Sequence, residues 1–371
     1  MNKQASLLEE LNVGRKEIKT DSYSMSIGEI INLYKDGELE LNPAYQRLFR
    51  WDEEQKSKFV ESILLGIPLP PIFVAQKEGG KWSIVDGLQR TSTILQLTGE
   101  LKIIDKSGTT AIKEPLVLTL TKKLPSLEGL TWDTLPEEAK RILKRSKFGV
   151  NIILTENSIQ AQYELFQRLN TGGVHLEPQE IRNCLIIMLN EGFYDELNSL
   201  KDHPSFINSL PLQEDKLQIE YHMELILRYF IAKHGKVDYS KYKIGTLLLP
   251  EFLDNETINL MNDSSFDIKN ESEILKRTFD FLYNALESKI FQKYYLEKGV
   301  FEGGFSISSF EAITTGVAVN LEKYIQMPKE EFEDKIKGIY KDPDFINATK
   351  RGTKVVSRFK ALDEFSRRYF A

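Results

Sequence analysis

The chain has 371 residues, of which 41% are hydrophobic and 28% are charged, values that are ordinary for a globular protein long enough to form two domains. Its formal net charge of -6 argues against a protein that coats nucleic acid along its whole surface, so any DNA contact is expected to be local. The single cysteine excludes an internal disulfide framework, and no stretch approaches the ~18 apolar residues of a membrane helix. The N-terminus lacks the apolar core of a signal peptide, and we therefore expect a cytoplasmic protein with no membrane partner.

The first part of the chain alternates predicted helices and strands. Two segments have the capping-box spacing, with Ser or Asp followed three residues later by Glu or Gln, and they predict short helices after Ser26 and after Asp52. The runs at 72–76 and 81–85 are rich in β-forming residues and flank a glycine-containing turn, which predicts a hairpin. A helix after Asp86 would complete a β-turn-β-α unit.

The pattern becomes helical towards the C-terminus. Residues 103–146 are turn-rich and predict an excursion that ends in a short helix, and the alternation at 148–154 predicts a half-buried strand. Asn157 has the spacing to cap a further helix, and Pro178 sits where a first-turn proline opens one. Beyond about residue 190 helical periodicities dominate, with few strand signals.

These patterns predict an α+β fold in two parts. The mixed segment is assigned to a first domain over residues 20–190, and the helical segment is assigned to a mainly α-helical domain over residues 191–371.

The joint between the predicted strand and helix at 84–91, IVDGLQRT, is built from polar residues and glycine. Gly87 lets the chain turn tightly into a helix whose first amide groups lack intrahelical acceptors. Those amides and the helix dipole favour a phosphate, Arg90 can pair with its charge, and Gln89 and Thr91 can exchange hydrogen bonds with it.

Asp86, which ends the predicted strand, has two interpretations. In the first it holds a divalent cation or a nucleophilic water at the same turn. In the second it only caps a helix whose apolar side chains are buried. Aspartate, glycine and arginine at this spacing do not by themselves separate a ligand site from a capped helix.

Two further polar clusters contain arginine. The segment NPAYQRLFRW carries Tyr45, Gln46, Arg47 and Arg50. The segment FQRLNTGG carries Arg168 and Asn170 at a predicted helix end. The alternatives are that the first two arginines are surface cations stacked on Trp51 and that the third one complements its helix dipole.

The motifs NPAYQRLFRW, IVDGLQR and FQRLNTGGVHLEPQEIRN, in this order, resemble the N-terminal domain family of GmrSD-type restriction endonucleases. The resemblance covers roughly residues 20–190 and implies a ParB/sulfiredoxin-like fold and a role in bacterial defence against phage or modified DNA. In that family the strand-to-helix Asp-Gly-Gln-Gln-Arg motif is associated with nucleotide binding and hydrolysis. The implied cofactor is therefore a nucleoside triphosphate, with Mg²⁺.

Residue by residue, the motif is retained except at one position. Asp86, Gln89 and Arg90 take its catalytic places, whereas Leu88 replaces its first Gln, and an apolar side chain cannot orient an attacking water. The departure therefore puts hydrolysis, more than binding, in question. The residues predicted to contact the nucleotide are Gly87, Thr91, Tyr45, Gln46, Arg47, Arg50, Arg168 and Asn170.

Restriction enzymes of this kind often carry a second nuclease domain of the His-Asn-His type, whose pattern is absent from this sequence. The four histidines are isolated from one another, so each is interpreted as a core or surface residue, and no metal site is predicted within the protein. If DNA is cut, a partner nuclease or an unrecognised site cuts it. Beside a nucleotide-dependent enzyme or switch, two hypotheses stay open: a non-catalytic DNA- or partner-binding module, and a nuclease acting through the ParB-like domain.

Residues 347–371 form a local basic run, with seven Lys or Arg residues against two acidic residues. The cations are Lys350, Arg351, Lys354, Arg358, Lys360, Arg367 and Arg368. Interleaved aromatic residues such as Phe359 and Phe365 fit two structures, a segment that binds DNA phosphates and a packed helix with its aromatics inward and its cations solvated.

Overall fold

The computed structural model describes residues 20–41, 51–77, 79–104, 110–154, 177–213, 216–217, 219–243 and 246–371. The chain forms two compact units, Met1–Leu176 and Glu177–Ala371. This division assigns the helix at 178–189 to the second unit, whereas the boundary drawn from the sequence at 190 assigned it to the first.

The first unit is built around a five-stranded sheet. In chain order its described elements are β1 (Thr20–Ser26), α1 (Ile27–Lys35), β2 (Leu39–Glu40), α2 (Glu53–Leu64), β3 (Ile72–Gln76), β4 (Trp82–Asp86), α3 (Leu88–Leu97), β5 (Lys102–Ile104), β6 (Thr110–Ile112), α4 (Glu137–Arg145) and β7 (Lys147–Ile153). The sheet order is β1-β7-β3-β4-β2, and β5 pairs with β6 separately. The result is a mixed α+β unit, and its assignment to the ParB/sulfiredoxin-like group stays a prediction.

The capping signals start both helices where the sequence predicts. The Ser26 hydroxyl accepts the amide N–H of Glu29 at 3.2 Å. Asp52 and Gln55 form a complete capping box. The Asp52 carboxylate accepts a hydrogen bond from the backbone N–H of Gln55 at 2.8 Å, and the Gln55 side-chain oxygen accepts one from the backbone N–H of Asp52 at 3.0 Å. The helix predicted from Asn157 lies outside the described residues.

The predicted hairpin and the later strand come together in the sheet. β3 and β4 pair antiparallel, and β7 lies parallel to β3 with Ile72 opposite Val150. Phe148, Val150, Val74 and Ile84 are buried in one core with residues of α1, α2 and α3. This packing fixes the end of β4, and therefore the turn that follows it, against the body of the unit.

The second unit is mainly helical, as predicted. Its described elements are α5 (Pro178–Leu189), α6 (Glu191–Leu200), α7 (Pro204–Ser209), α8 (Tyr221–His234), α9 (Leu249–Asn262), α10 (Ile268–Leu286), β8 (Lys293–Tyr295), β9 (Val300–Glu302), α11 (Ile307–Val319), α12 (Leu321–Ile325), α13 (Lys329–Ile339), α14 (Pro343–Ala348) and α15 (Val355–Tyr369). The antiparallel hairpin β8–β9 was not predicted, because three-residue strands are too short to show an alternating pattern.

The basic tail forms α15, and its aromatic residues pack inward. Phe359 and Phe365 are buried, which confirms the packed-helix interpretation for the aromatics. The expectation that the cations of this helix are solvated is wrong for Arg358, whose side chain is 17% exposed. Arg368 is exposed, as expected, and Arg367 is partly exposed, although all three arginines reach a carboxylate. Arg358 pairs with Glu311, Arg367 with Asp363 and Arg368 with Asp342.

Buried ion pairs occupy the centre of the second unit. Arg228 of α8, whose side chain is 4% exposed, pairs with Glu224 at 2.7 Å and with Glu311 of α11 at 2.5 Å. Arg358 of α15 donates to the second oxygen of Glu311 at 3.3 Å. α8, α11 and α15 are thus joined by an ion-pair network in which Arg228 and Glu311 are almost inaccessible to water. Removing one of these two partners leaves the other with a buried charge that has lost an ion pair.

The end of the third sequence motif, EPQEIRN, contributes a similar buried arginine. Arg182 of α5 is fully buried and donates its Nε–H to Asp254 of α9 at 2.7 Å. It also donates to the Gln179 side chain, whose amide group donates to Asn183 at 2.8 Å. These polar residues of the motif stabilise the interior of the helical unit.

Candidate functional site

The candidate site is the turn between β4 and α3. Gly87 is the N-cap residue of α3, with φ +94° and no side-chain hydrogen bond to the first turn. A Cβ atom at Gly87 would lie 2.4 Å from Cγ2 of Ile72, so only glycine fits both the backbone angle and the space. Gly87 itself has no side chain to cap the first turn of α3, and a helix start of this kind favours an anion.

The Asp86 side chain does not cap α3, and that interpretation of the sequence is wrong. Its Oδ2 accepts a hydrogen bond from Nη2 of Arg90 at 3.1 Å. The same Nη2 donates to the backbone carbonyl of Pro71 at 3.1 Å. The aspartate and the arginine therefore form an ion pair across the first turn of the helix, because a carboxylate and a guanidinium four residues apart lie on one face.

Arg90 retains donor capacity in this arrangement. Its side chain is 14% exposed, and its Nε is buried without a hydrogen-bond partner among the described residues. A guanidinium has five N–H groups, and Nη2 supplies both observed hydrogen bonds. The Arg90 guanidinium is therefore a positive charge held at the start of α3, where an anion would bind.

Gln89 connects the turn to the end of the first motif. Its Oε1 accepts the backbone N–H of Trp51 at 3.3 Å, although the two residues are 38 positions apart. Its carbonyl oxygen accepts the Thr93 hydroxyl at 2.7 Å. The structure therefore brings Trp51, which closes NPAYQRLFRW, to the turn that carries Asp86 and Arg90.

Two neighbouring side chains face the interior of the unit. Thr91 is fully buried, and its hydroxyl has no hydrogen-bond partner in the described part of the chain. Leu88, which replaces the first Gln of the family motif, is partly buried and packs against the core of the first unit. An apolar contact thus occupies the position where the family motif has an amide.

Six predicted site residues lie outside the described residues, namely Tyr45, Gln46, Arg47, Arg50, Arg168 and Asn170. The prediction that Arg47 and Arg168 lie near Asp86, around one polyanionic ligand, therefore stays a prediction.

Two of the described histidines lie beside carboxylates. His203 lies 2.9 Å from Asp280, and His234 lies 2.9 Å from Asp263. Among the described residues, no three His, Cys, Asp or Glu side chains are grouped so that they could hold a metal ion. His175 lies outside the described residues.

His222, in the first turn of α8, should make the stability of the protein depend on pH. Burial, together with the positive charge of Lys201, lowers the pKa of His222 from 6.5 to about 4. The unfolded chain binds a proton at this histidine more readily than the folded chain does, so lowering the pH favours unfolding. The free energy of unfolding is therefore unaffected by His222 above about pH 6.5 and decreases as the pH falls towards about 4. We expect the urea midpoint of the wild type to fall over this range and that of His222→Gln to fall less. Parallel profiles would contradict this assignment.

The turn lies in a segment that matches a family of known proteins. Residues 27–187 match the GmrSD restriction endonuclease, N-terminal domain family, which confirms the resemblance found in the motifs. The match runs from α1 into α5 and includes every residue of the turn. No curated protein and no solved structure matches the chain. Within the described part of the chain, no helix has the length and apolar character needed to cross a membrane.

Proposed function

We propose that this GmrSD N-terminal domain binds a nucleoside triphosphate through its phosphates at the start of α3, and that the protein is a nucleotide-dependent component of DNA restriction in anti-phage defence. The observation that supports the proposal most directly is the helix start at Gly87, which has no capping side chain of its own, beside the guanidinium of Arg90. The family match supports the connection with restriction.

The residues of the turn have separate roles in this proposal. The amides that follow Gly87 and the α3 dipole bind one phosphate, and Arg90 pairs with its charge. The Asp86 carboxylate would be the residue that holds Mg²⁺, which would neutralise phosphate charge and take its other ligands from phosphate oxygens and waters. Gln89 acts as the link that keeps Trp51, and the motif before it, beside the ligand.

The remaining motif residues complete the proposed pocket. Tyr45, Gln46, Arg47 and Arg50 precede Trp51 closely in sequence, and Arg168 and Asn170 belong to the third motif of the same family match. In the proposal their arginines bind the outer phosphates and the tyrosine contacts the base. Because Leu88 is apolar and packed, we propose binding, more than turnover, as the activity of the site.

Substitutions at the ion pair should change nucleotide affinity in opposite directions. Arg90→Ala removes the phosphate partner and is expected to weaken binding by about 10- to 100-fold, the range for a hydrogen bond to a charged group. Asp86→Asn removes the carboxylate that competes for Arg90, so it is expected to tighten binding without Mg²⁺ and to abolish any gain from Mg²⁺. Isothermal titration calorimetry with ATP, GTP, CTP and UTP measures both effects.

The matched control is Arg141→Ala, which removes an exposed arginine of α4 in the same unit. It should leave affinity unchanged, and thermal melting should show that all three variants stay folded. Equal affinities for Arg90→Ala and Arg141→Ala would refute the site.

A further inference from the structure

The second unit contains an open cavity of about 710 Å³ beside the β8–β9 hairpin, here called the hairpin cavity. It is lined by the hairpin, by the start of α11, by Tyr340 and by α14 with the residues that follow it. Its lining includes three lysines, Lys293, Lys298 and Lys350, and one acidic residue, Glu297. In a chain with a net charge of -6, this is a locally basic opening.

Three aromatic residues in the lining of the hairpin cavity, Tyr294, Tyr340 and Phe345, contact one another. Tyr340 donates its hydroxyl to the carbonyl of Gln292 at 2.8 Å. The Tyr340 ring packs edge-on against Phe345 with the centroids 5.4 Å apart, and Tyr294 lies 6.4 Å away on the hairpin side. These contacts restrict the movement of the three aromatic side chains.

Tyr295 presents a ring to solvent at the rim of the hairpin cavity. The residue is 37% exposed, and the ammonium groups of Lys293 and Lys298 lie 4.9 and 5.2 Å from its centroid. Lys298 is neutralised by Glu302 at 2.7 Å. An aromatic ring flanked by ammonium groups fits a ligand that alternates planar rings with negative charges.

The structure also divides the cations of the tail into two groups. The arginines of α15 all pair with carboxylates, as described above. Lys350 and Arg351, which precede α15, are exposed and have no carboxylate partner among the described residues, and the same holds for Lys293. Of these tail cations, Lys350 lies in the lining of the hairpin cavity, and Arg351 follows it directly in the chain.

We propose that the hairpin cavity binds single-stranded nucleic acid, with phosphates on Lys293, Lys350 and Arg351 and a base stacked on Tyr295. The unpaired cations attract the phosphates. A base can stack on the Tyr295 ring in place of the Lys293 ammonium group, which then binds the adjacent phosphate. A duplex keeps its bases paired and stacked, so it offers no free ring face to Tyr295. This site is in the second unit and does not depend on nucleotide binding at α3.

Fluorescence anisotropy of the whole protein with a labelled oligothymidylate of about 12 nucleotides tests the proposal, since single-strand sites cover about 4–16 nucleotides. We expect the oligothymidylate to bind more tightly than a duplex of equal length. The triple variant Lys293→Gln, Lys350→Gln, Arg351→Gln should bind more weakly and lower the slope of log affinity against log salt by about 2, at about 0.7 for each lost phosphate contact. An oligouridylate titration separates RNA from DNA, and binding of either strand supports the site.

Two controls separate phosphate contact and base stacking from a general charge effect. The triple variant Lys241→Gln, Lys243→Gln, Lys269→Gln removes the same charge from exposed positions of the same unit and should change little. Tyr295→Ala should weaken single-strand binding about tenfold, whereas Tyr295→Phe keeps the ring and should bind as the wild type does. The proposal is overturned if the two triple variants bind equally, if Tyr295→Ala retains full affinity, or if the duplex binds as tightly as the single strand.

Discussion

Glu311→Ala is expected to lower the free energy of unfolding of the helical unit by about 3–5 kcal/mol, the range for breaking a buried ion pair from one side. Glu311 is buried and accepts from Arg228 at 2.5 Å and from Arg358 at 3.3 Å. Its removal leaves Arg228, 4% exposed, with Glu224 as its remaining partner. The cost arises because a buried guanidinium keeps its charge and loses an acceptor that water cannot replace.

Urea unfolding followed by far-UV circular dichroism measures this loss. Glu322→Ala is the matched control, because the Arg277–Glu322 pair has side chains 51% and 73% exposed and should change stability by less than about 1 kcal/mol. Equal midpoints for Glu311→Ala and Glu322→Ala would show that the buried pairs do not stabilise the unit.

Gly87→Ala is expected to destabilise the first unit by about 3 kcal/mol and to weaken nucleotide binding at the same time. A left-handed backbone at a residue with a Cβ costs about 1–2 kcal/mol. The new methyl group would also meet Cγ2 of Ile72 at 2.4 Å, and overpacking of this kind costs about 1–3 kcal/mol. Relief of that contact moves the turn, and with it the amides and the Arg90 guanidinium that the proposed phosphate site needs.

Gly79→Ala isolates the backbone contribution. Gly79 has φ +85° in the β3–β4 turn, and a Cβ added there would meet nothing within 4 Å. Only the left-handed cost of about 1–2 kcal/mol is expected there, with unchanged nucleotide affinity. Thermal melting and calorimetry on both variants make the comparison. If Gly87→Ala is no more destabilised than Gly79→Ala, the contact with Ile72 does not constrain the turn.

The sequence by itself determined most of the local structure near the site. The helices after Ser26 and Asp52 and the hairpin that leads to Asp86 are confirmed where the structure describes them. The resemblance to the GmrSD N-terminal domain family was also identified from three motifs and is confirmed by the match over residues 27–187. These features were predictable because a capping side chain and the amide that it accepts lie three residues apart, and a hairpin is set by the turn between its strands.

Only the tertiary structure decided what each charged side chain contacts. The turn pairs Asp86 with Arg90 although the sequence fits a helix cap equally well, and Gln89 receives the Trp51 amide from 38 positions away. Arg358 is partly buried and pairs with Glu311, 47 residues before it, while Arg351, a few positions earlier in the same basic run, is exposed. The physical reason is that burial and pairing of a charge depend on distant segments that fold onto it. Composition and spacing are the same whether a cation stabilises the core or remains free to bind a phosphate.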